Sequence, residues 1–170
     1  GRKTEIYIAP EGALYAERNF LFRISTVEVE LAESDFTSLP DYNRLIASVS
    51  GTMRLSHGAN VRDKLLLPRS TEYAFDGGIQ THCIGKARDL NLMLRKSAAE
   101  GELVFVDSGT ELNLEPAANE TMLLFELESG NAALCAGGNA RLRCTANGQC
   151  ALFTVRLVGE AIPDFDNRNG

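Results

Sequence analysis

Asp89-Leu90-Asn91-Leu92-Met93-Leu94-Arg95-Lys96 is the stretch from which the fold can be read. Its leucines take every even position, and Asp89, Asn91, Met93 and Arg95 take the odd ones. A period of two is that of a β-strand, so the four non-leucine side chains share the face opposite the leucines. On an open sheet such a face is solvent surface, and in a closed barrel it lines a cavity. The neighbouring strands decide between the two.

Residues 20–31 form a long strand whose faces separate as Leu21, Arg23, Ser25, Val27, Val29, Leu31 and Phe20, Phe22, Ile24, Thr26, Glu28, Glu30. Arg23 therefore stands among aliphatic side chains. Either its long stem carries the charge out to water, or the guanidinium points into a cavity and awaits an anion. Residues 42–50 repeat the pattern, with Arg44 on the face of Tyr42, Ile46 and Ser48. Strands are also expected at 4–8, 52–56, 64–67, 71–75 and 79–84, with turns at Pro10-Glu11-Gly12, His57-Gly58-Ala59-Asn60 and Asp76-Gly77-Gly78.

Beyond Lys96 come short extended segments at 103–106, 111–115, 122–128, 132–136, 139–144 and 151–158. Asn147-Gly148 predicts a type I′ hairpin, because both residues tolerate positive φ. One helical turn is expected at Ala98-Ala99-Glu100. About a dozen strands spaced by about 8–12 residues predict an all-β barrel or sandwich. No linker divides the chain, and 96–101 is the one candidate seam.

The 170 residues, 44% of them hydrophobic, suffice for one large core or two intimately packed halves. No apolar run reaches the roughly 20 residues of a membrane helix, so no membrane partner is expected. The net charge of −6 repels phosphate backbones, which argues against nucleic acid. Cys83, Cys135, Cys144 and Cys150 match no CxxC spacing and read as free thiols, which places the protein in the cytoplasm.

Phe20-x-Phe22-Arg23-Ile24-Ser25 with Val27, then Asp35-Phe36-Thr37-x-x-Pro40-x-x-x-Arg44, then Phe75-x-Gly77, then Asp89-x-Asn91-x-Met93-x-Arg95 together resemble the HutD/Ves family of bicupin-like proteins. The resemblance covers most of the first hundred residues. It implies two cupin-like (RmlC-like jelly-roll) β-barrels packed as one compact body over 1–170, the first over about 1–96 and the second over about 101–160, with strand exchange between them open. Thr4-Glu5 matches the family's opening, but the tryptophan that precedes it in the family is missing, so further residues are expected before Gly1. The family is linked in some bacteria to histidine utilisation and in others to stress responses, with no reaction firmly attached. A small carboxylate, such as a formylated or dicarboxylic intermediate of histidine breakdown, is the ligand that kinship implies.

The residues themselves carry little catalytic chemistry. A metal-dependent cupin needs several convergent N/O ligands, whereas His57 and His82 are isolated and lack an acidic residue at ligand spacing. No metal and no cofactor are expected. There is no Gly-x-Ser-x-Gly elbow, and the glycine pairs at 77–78 and 137–138 lack the lysine and helix of a phosphate loop. What remains is a convergent polar set, Arg23, Ser25, Arg44, Asp89, Asn91 and Arg95, with Met93 as an adjustable wall.

One reading makes that set a buried network in which Arg23 or Arg44 pairs with Asp89, because a lone buried charge is costly. The other leaves guanidinium donors for a ligand carboxylate, with Asp89 and Asn91 holding the arginines. Three arginines against one aspartate favour the anion, and Arg23→Ala is expected to weaken it by about 2–4 kcal/mol. The leading reading is a non-enzymatic sensor or regulator binding a small anionic metabolite. Its rivals are a metal-independent isomerase or epimerase using Asp89 and Tyr42, and an interaction module whose strand edges pair with a partner or, as a homodimer, with a second copy.

Overall fold

Period-two alternation dictates strands almost throughout the computed structural model, which describes residues 1–58 and 61–159. Before Lys96 these are β1 (Arg2–Ala9), β2 (Phe22–Val29), β3 (Glu33–Asp35), β4 (Tyr42–Ser50), β5 (Met53–Ser56), β6 (Lys64–Leu66), β7 (Tyr73–Asp76), β8 (His82–Ile84) and β9 (Ala87–Arg95). After it come β10 (Ala99–Val106), β11 (Glu111–Leu114), β12 (Glu120–Glu126), β13 (Ala132–Ala136), β14 (Leu142–Thr145) and β15 (Cys150–Leu157). The helical content of the described residues is one 3-10 turn, Tyr15–Glu17.

The strands form four sheets, ordered β1-β2-β9-β4-β7, β3-β8-β5-β6, β10-β15-β12-β13 and β11-β14. No sheet mixes strands from the two sides of Lys96. Apolar faces stack the sheets in line. Ile46 and Ala87 of the first sheet meet Met53, Leu55, Leu66 and Cys83 of the second. On its other side the first sheet turns Phe22, Ile24, Leu45, Leu90, Leu92 and Leu94 against Leu103, Leu123, Phe125, Phe153 and Val155 of the third. Val106, Leu124, Cys135 and Cys150 then face Leu114 of the fourth. The leucine row of β9 is thus the centre of the largest core, and its polar face looks the other way.

Two local expectations change. Asn147-Gly148 does not make a type I′ hairpin: neither residue has positive φ, and the strands on either side belong to different sheets. Ala146 exchanges backbone hydrogen bonds with the 109–110 turn, so the pairing of β14 with β11 overrides the local turn signal. The helical turn at 98–100 is replaced by a tight turn at 96–98 with Ser97 at φ 63°, because Ala99 is already paired with Leu157. The turn expected at 57–60 lies partly outside the described residues, as does the far end of the 101–160 span.

Thr26 ties β2 to β9 on the core side. Its buried hydroxyl donates to the carbonyl of Asp89 at 2.8 Å. Thr26→Val should cost about 1 kcal/mol, the usual net worth of such a bond. Urea unfolding should then show a lower midpoint at unchanged slope.

Candidate functional site

With the leucines of β9 committed to the core, register alone assembles the opposite face. Arg23 pairs with Met93 and Met93 with Arg44; Ser25 pairs with Asn91 and Asn91 with Ile46; Val27 pairs with Asp89 and Asp89 with Ser48. The β2 and β9 members of these rows, with Arg44 of β4, floor a cavity of about 230 Å³, walled by Lys3 of β1, by Tyr15 and by residues 34–37 at and after β3. The volume lies below the roughly 300–1,000 Å³ of pockets for drug-sized ligands, so it suits a small metabolite.

The two arginines are held differently. Arg23 donates from Nε to Glu5 Oε2 at 2.6 Å and from Nη1 to Ser25 Oγ at 3.0 Å, with its guanidinium carbon 4.6 Å from the centre of the Tyr15 ring. Arg44, 6% exposed, has its guanidinium 4.7 Å from the Phe36 ring and 5.7 Å from the Phe75 ring. Its Nη1 donates to Thr37 O at 3.3 Å, and its Nε has no partner. Burial lowers the basicity of Arg44, a trend that Tyr15 and Asp89 oppose and the Arg23 charge reinforces. Arginine nevertheless keeps its proton in proteins. Among the described residues no carboxylate forms an ion pair with it.

The same floor carries two acceptors without donors. Asp89 Oδ1 and Asn91 Oδ1 are buried and unpartnered, and the residues are 2% and 3% exposed. Burial pushes the Asp89 carboxyl up to about 7, although the charges of Arg44 and Lys3 pull it back. The Tyr15 phenol moves in the other direction. Burial raises it, but a hydrogen bond and charge from Arg18 and the charges of Lys3 and Arg44 carry it below its usual value. Both the cavity and its rim therefore feel a positive field.

Six of the seven residues singled out in the sequence, Arg23, Ser25, Arg44, Asp89, Asn91 and Met93, line this cavity, and Arg95 does not. Arg95 lies at the end of β9, beside Tyr42, where it donates to Phe20 O, Arg18 O and Tyr42 Oη at 3.1, 2.5 and 2.9 Å. It fastens the chain before β2. Tyr42 itself donates to Arg18 O and Phe20 O and is not a cavity wall, which removes it from any proton-transfer role there. Asp89 and Asn91 do not hold the arginines. Glu5 and Ser25 hold one, and aromatic rings and Thr37 hold the other. The positive excess is also smaller than three arginines suggested, because Glu5 neutralises Arg23 and Arg95 is absent. It comes from Arg44 and Lys3, set against Asp89 and against Asp35, which pairs with His82. Tyr15, Lys3 and Glu5 were missed because an irregular loop and a polar edge strand carry no periodic apolar signal, whereas Phe36 lies within a recognisable Asp35-Phe36-Thr37 segment.

The histidines are placed elsewhere. His57 is buried, with Nδ1 3.0 Å from Thr81 Oγ1 and its ring against Tyr73 and Phe75. His82 has acidic neighbours after all, Asp35 at 2.8 Å and Glu33 at 3.6 Å, supplied across the β3–β8 ladder where linear spacing cannot reveal them. The Asp35 hydrogen bond and both carboxylates raise its pKa. Among the described residues no three His, Cys, Asp or Glu side chains converge as metal ligands, and the four cysteines are free thiols. No helix among them is long and apolar enough to cross a membrane.

Comparison with solved structures matches this architecture over most of the chain. A conserved protein of unknown function from Pseudomonas aeruginosa PAO1 is 26% identical, with 92% of this chain and 90% of that one covered at a TM-score of 0.70. HutD from Pseudomonas fluorescens SBW25, solved in a formate condition, is 23% identical over 92% and 89%, with a TM-score of 0.68. YhaK from Escherichia coli shares the fold at 10% identity over 92% and 94%, with a TM-score of 0.55. No curated protein matches the sequence. The HutD family model matches residues 1–156, which include every strand of the three cavity rows and nearly all of the second half; the chain belongs to the HutD family.

Proposed function

We propose that this HutD-family protein binds a small anionic metabolite in the cavity of its first half, and that it reports or buffers the level of that metabolite in the cytoplasm without turning it over. One observation carries the reading. Three buried polar atoms without partners, Arg44 Nε, Asp89 Oδ1 and Asn91 Oδ1, belong to residues that line one small cavity. Orphaned buried polar groups are costly and rare, so their clustering marks a place where something else completes the hydrogen bonds. Arg44, buried and without an ion pair, makes the natural complement an anion. Among the described residues the opposite half offers no such set, and Val106, Leu114, Leu124, Cys135 and Cys150 fill its interior. In this reading the two halves are two cupin-type barrels, about 1–96 and 101–160, of which the first keeps the ligand.

The candidate acids are small. Formate comes first, given the condition in which the Pseudomonas fluorescens HutD was solved, followed by the formylated and dicarboxylic intermediates of histidine breakdown. Thermal unfolding of the protein with each acid tests the reading. A ligand at a hundred times its Kd adds about 2.7 kcal/mol, which moves the midpoint by several degrees. Arg23→Ala should weaken the hit by only about tenfold, because Glu5 already occupies its Nε. Absence of any shift in a folded sample would overturn the reading in favour of the interaction module.

One observation favours a second reading. A carboxyl held near 7 in the same cavity as a phenol of lowered pKa offers two groups that can move protons, so Asp89 and Tyr15 would serve an isomerase or epimerase acting on the same anion. Exchange of a carbon-bound hydrogen of the bound acid with deuterated solvent, abolished in Tyr15→Phe and Asp89→Asn, would decide for the enzyme.

A further inference from the structure

The acceptors of the cavity say more than its arginine does. Along β9 the three rows run Met93, Asn91, Asp89, about 7 Å per step, and Arg44 stands beside Met93. The residues therefore follow one another along the floor in the order Arg44, Asn91, Asp89, and the Arg44 charge reaches Asp89. A carboxylate ligand satisfies the Arg44 end. It leaves Asp89 Oδ1 and Asn91 Oδ1 as they are, since a carboxylate brings no donor. From these two acceptors the geometry points to a ligand that carries a protonated amine as well as a carboxylate: a free amino acid, its carboxylate toward Arg44 and its ammonium toward Asn91 and Asp89. This rests on the carboxylate site of the reading above, and it puts a zwitterion in the place of the simple acids named there.

An ammonium has three donors and a positive charge, enough for both acceptors and for the carboxylate of Asp89. A single amide N–H, as in an acylated amino acid, can satisfy one of them. A dicarboxylic acid satisfies neither unless Asp89 keeps its proton and donates it. The two cases couple to pH with opposite signs. To pair with an ammonium Asp89 must give up the proton that burial helps it keep, so binding releases a proton and strengthens as pH rises from 5 to 8. A second carboxylate needs that proton and binds more weakly over the same range.

The charged and titratable groups around Asp89 are Arg44 from β4, Lys3 from β1, Arg23 from β2, Cys83 from β8, Tyr15 and Asp35. Burial, and then the Asp89 charge, push Cys83 up to about 11, so it does not titrate in this window. Asp35 is hydrogen-bonded to His82, an imidazole whose pKa that bond raises, so His82→Gln is the control.

The experiment is isothermal titration of the full chain with the twenty standard amino acids, the N-acetyl derivative and deaminated acid matching each hit, and succinate and glutarate. Measurements at pH 5, 6.5 and 8 are repeated for Asp89→Asn and His82→Gln. At least one free amino acid should bind, lose tenfold or more on acetylation or deamination, and gain tenfold or more in affinity from pH 5 to 8. That gain should survive His82→Gln and vanish in Asp89→Asn. Dicarboxylic or deaminated acids that bind as tightly as the amino acids, or a pH slope of opposite sign, would overturn the ammonium assignment and leave the anion pocket standing. If none of these compounds binds, nor any acid of the thermal screen, the pocket reading itself falls.

Discussion

Asp89→Asn is expected to stabilise the unliganded protein, relative to wild type, by about 3 kcal/mol more at pH 8 than at pH 4.5. The side chain is 2% exposed, Oδ1 has no donor, and burial pushes the carboxyl from its ordinary 3.8 up to about 7. A folded-state pKa raised above the unfolded one means that the folded chain holds the proton more tightly. The resulting stability is fully present below the unfolded value. It drains away as pH rises from about 4 to about 7, and above that the folded protein carries an ionised carboxylate that it solvates poorly. Asparagine preserves the shape and cannot ionise. Urea unfolding of both proteins across pH 4.5–8 isolates this group, because every other titration is common to the pair. A stability difference that stays flat with pH would mean that Asp89 finds a partner the geometry does not suggest. Binding should fall in the same variant, so a residue that costs the empty protein stability would be one the ligand needs.

That opposition explains why the floor of the site was legible in the sequence and its surroundings were not. β2, β4 and β9 are central strands packed on both sides, and in such strands a polar residue at every second position is conspicuous. Asp89, Asn91, Arg23 and Arg44 announced themselves by breaking the apolar rule at the right period. The strands themselves followed from the same alternation, and the strand limits at β4 and β13 fell where alternation stops. Arg95 obeyed the period but sits one step too far along the strand, where the chain before β2 offers it carbonyls. Periodicity reports a face and is silent on where along that face a cavity ends. Lys3, Tyr15 and Glu5 escaped because an edge strand and a 3-10 turn have no buried face to pattern. The pairing of Glu5 with Arg23 and of Asp35 with His82 is cross-strand, and linear spacing does not encode it. The Asn147-Gly148 signal failed for a related reason. Local turn chemistry yielded to the long-range ladder between β11 and β14.

Arg44→Met is expected to abolish most anion binding while leaving the empty protein as stable as before, or slightly more so. Arg44 is 6% exposed and forms no ion pair among the described residues, and its Nε lacks an acceptor. Two phenyl faces and one carbonyl at 3.3 Å are thin compensation for a buried guanidinium. Methionine fills a similar stem volume between Phe36 and Phe75 and makes favourable contacts with the rings. Removing the charge should therefore change the unfolding free energy by less than about 1 kcal/mol, or raise it. The ligand loses its one guanidinium with free Nε, at about 2–4 kcal/mol, or roughly 30- to 1,000-fold in Kd. Lysine at 44 keeps the charge but has neither the planar fork nor the stacking surface, and should recover only part of the affinity. Calorimetric titration of the acid that stabilises wild type, run beside urea unfolding of Arg44→Met and Arg44→Lys, separates the possibilities. Stability lost together with binding would make Arg44 a structural pillar. Binding lost from a fold of unchanged stability would mean that the arginine is buried in this position for the sake of the ligand.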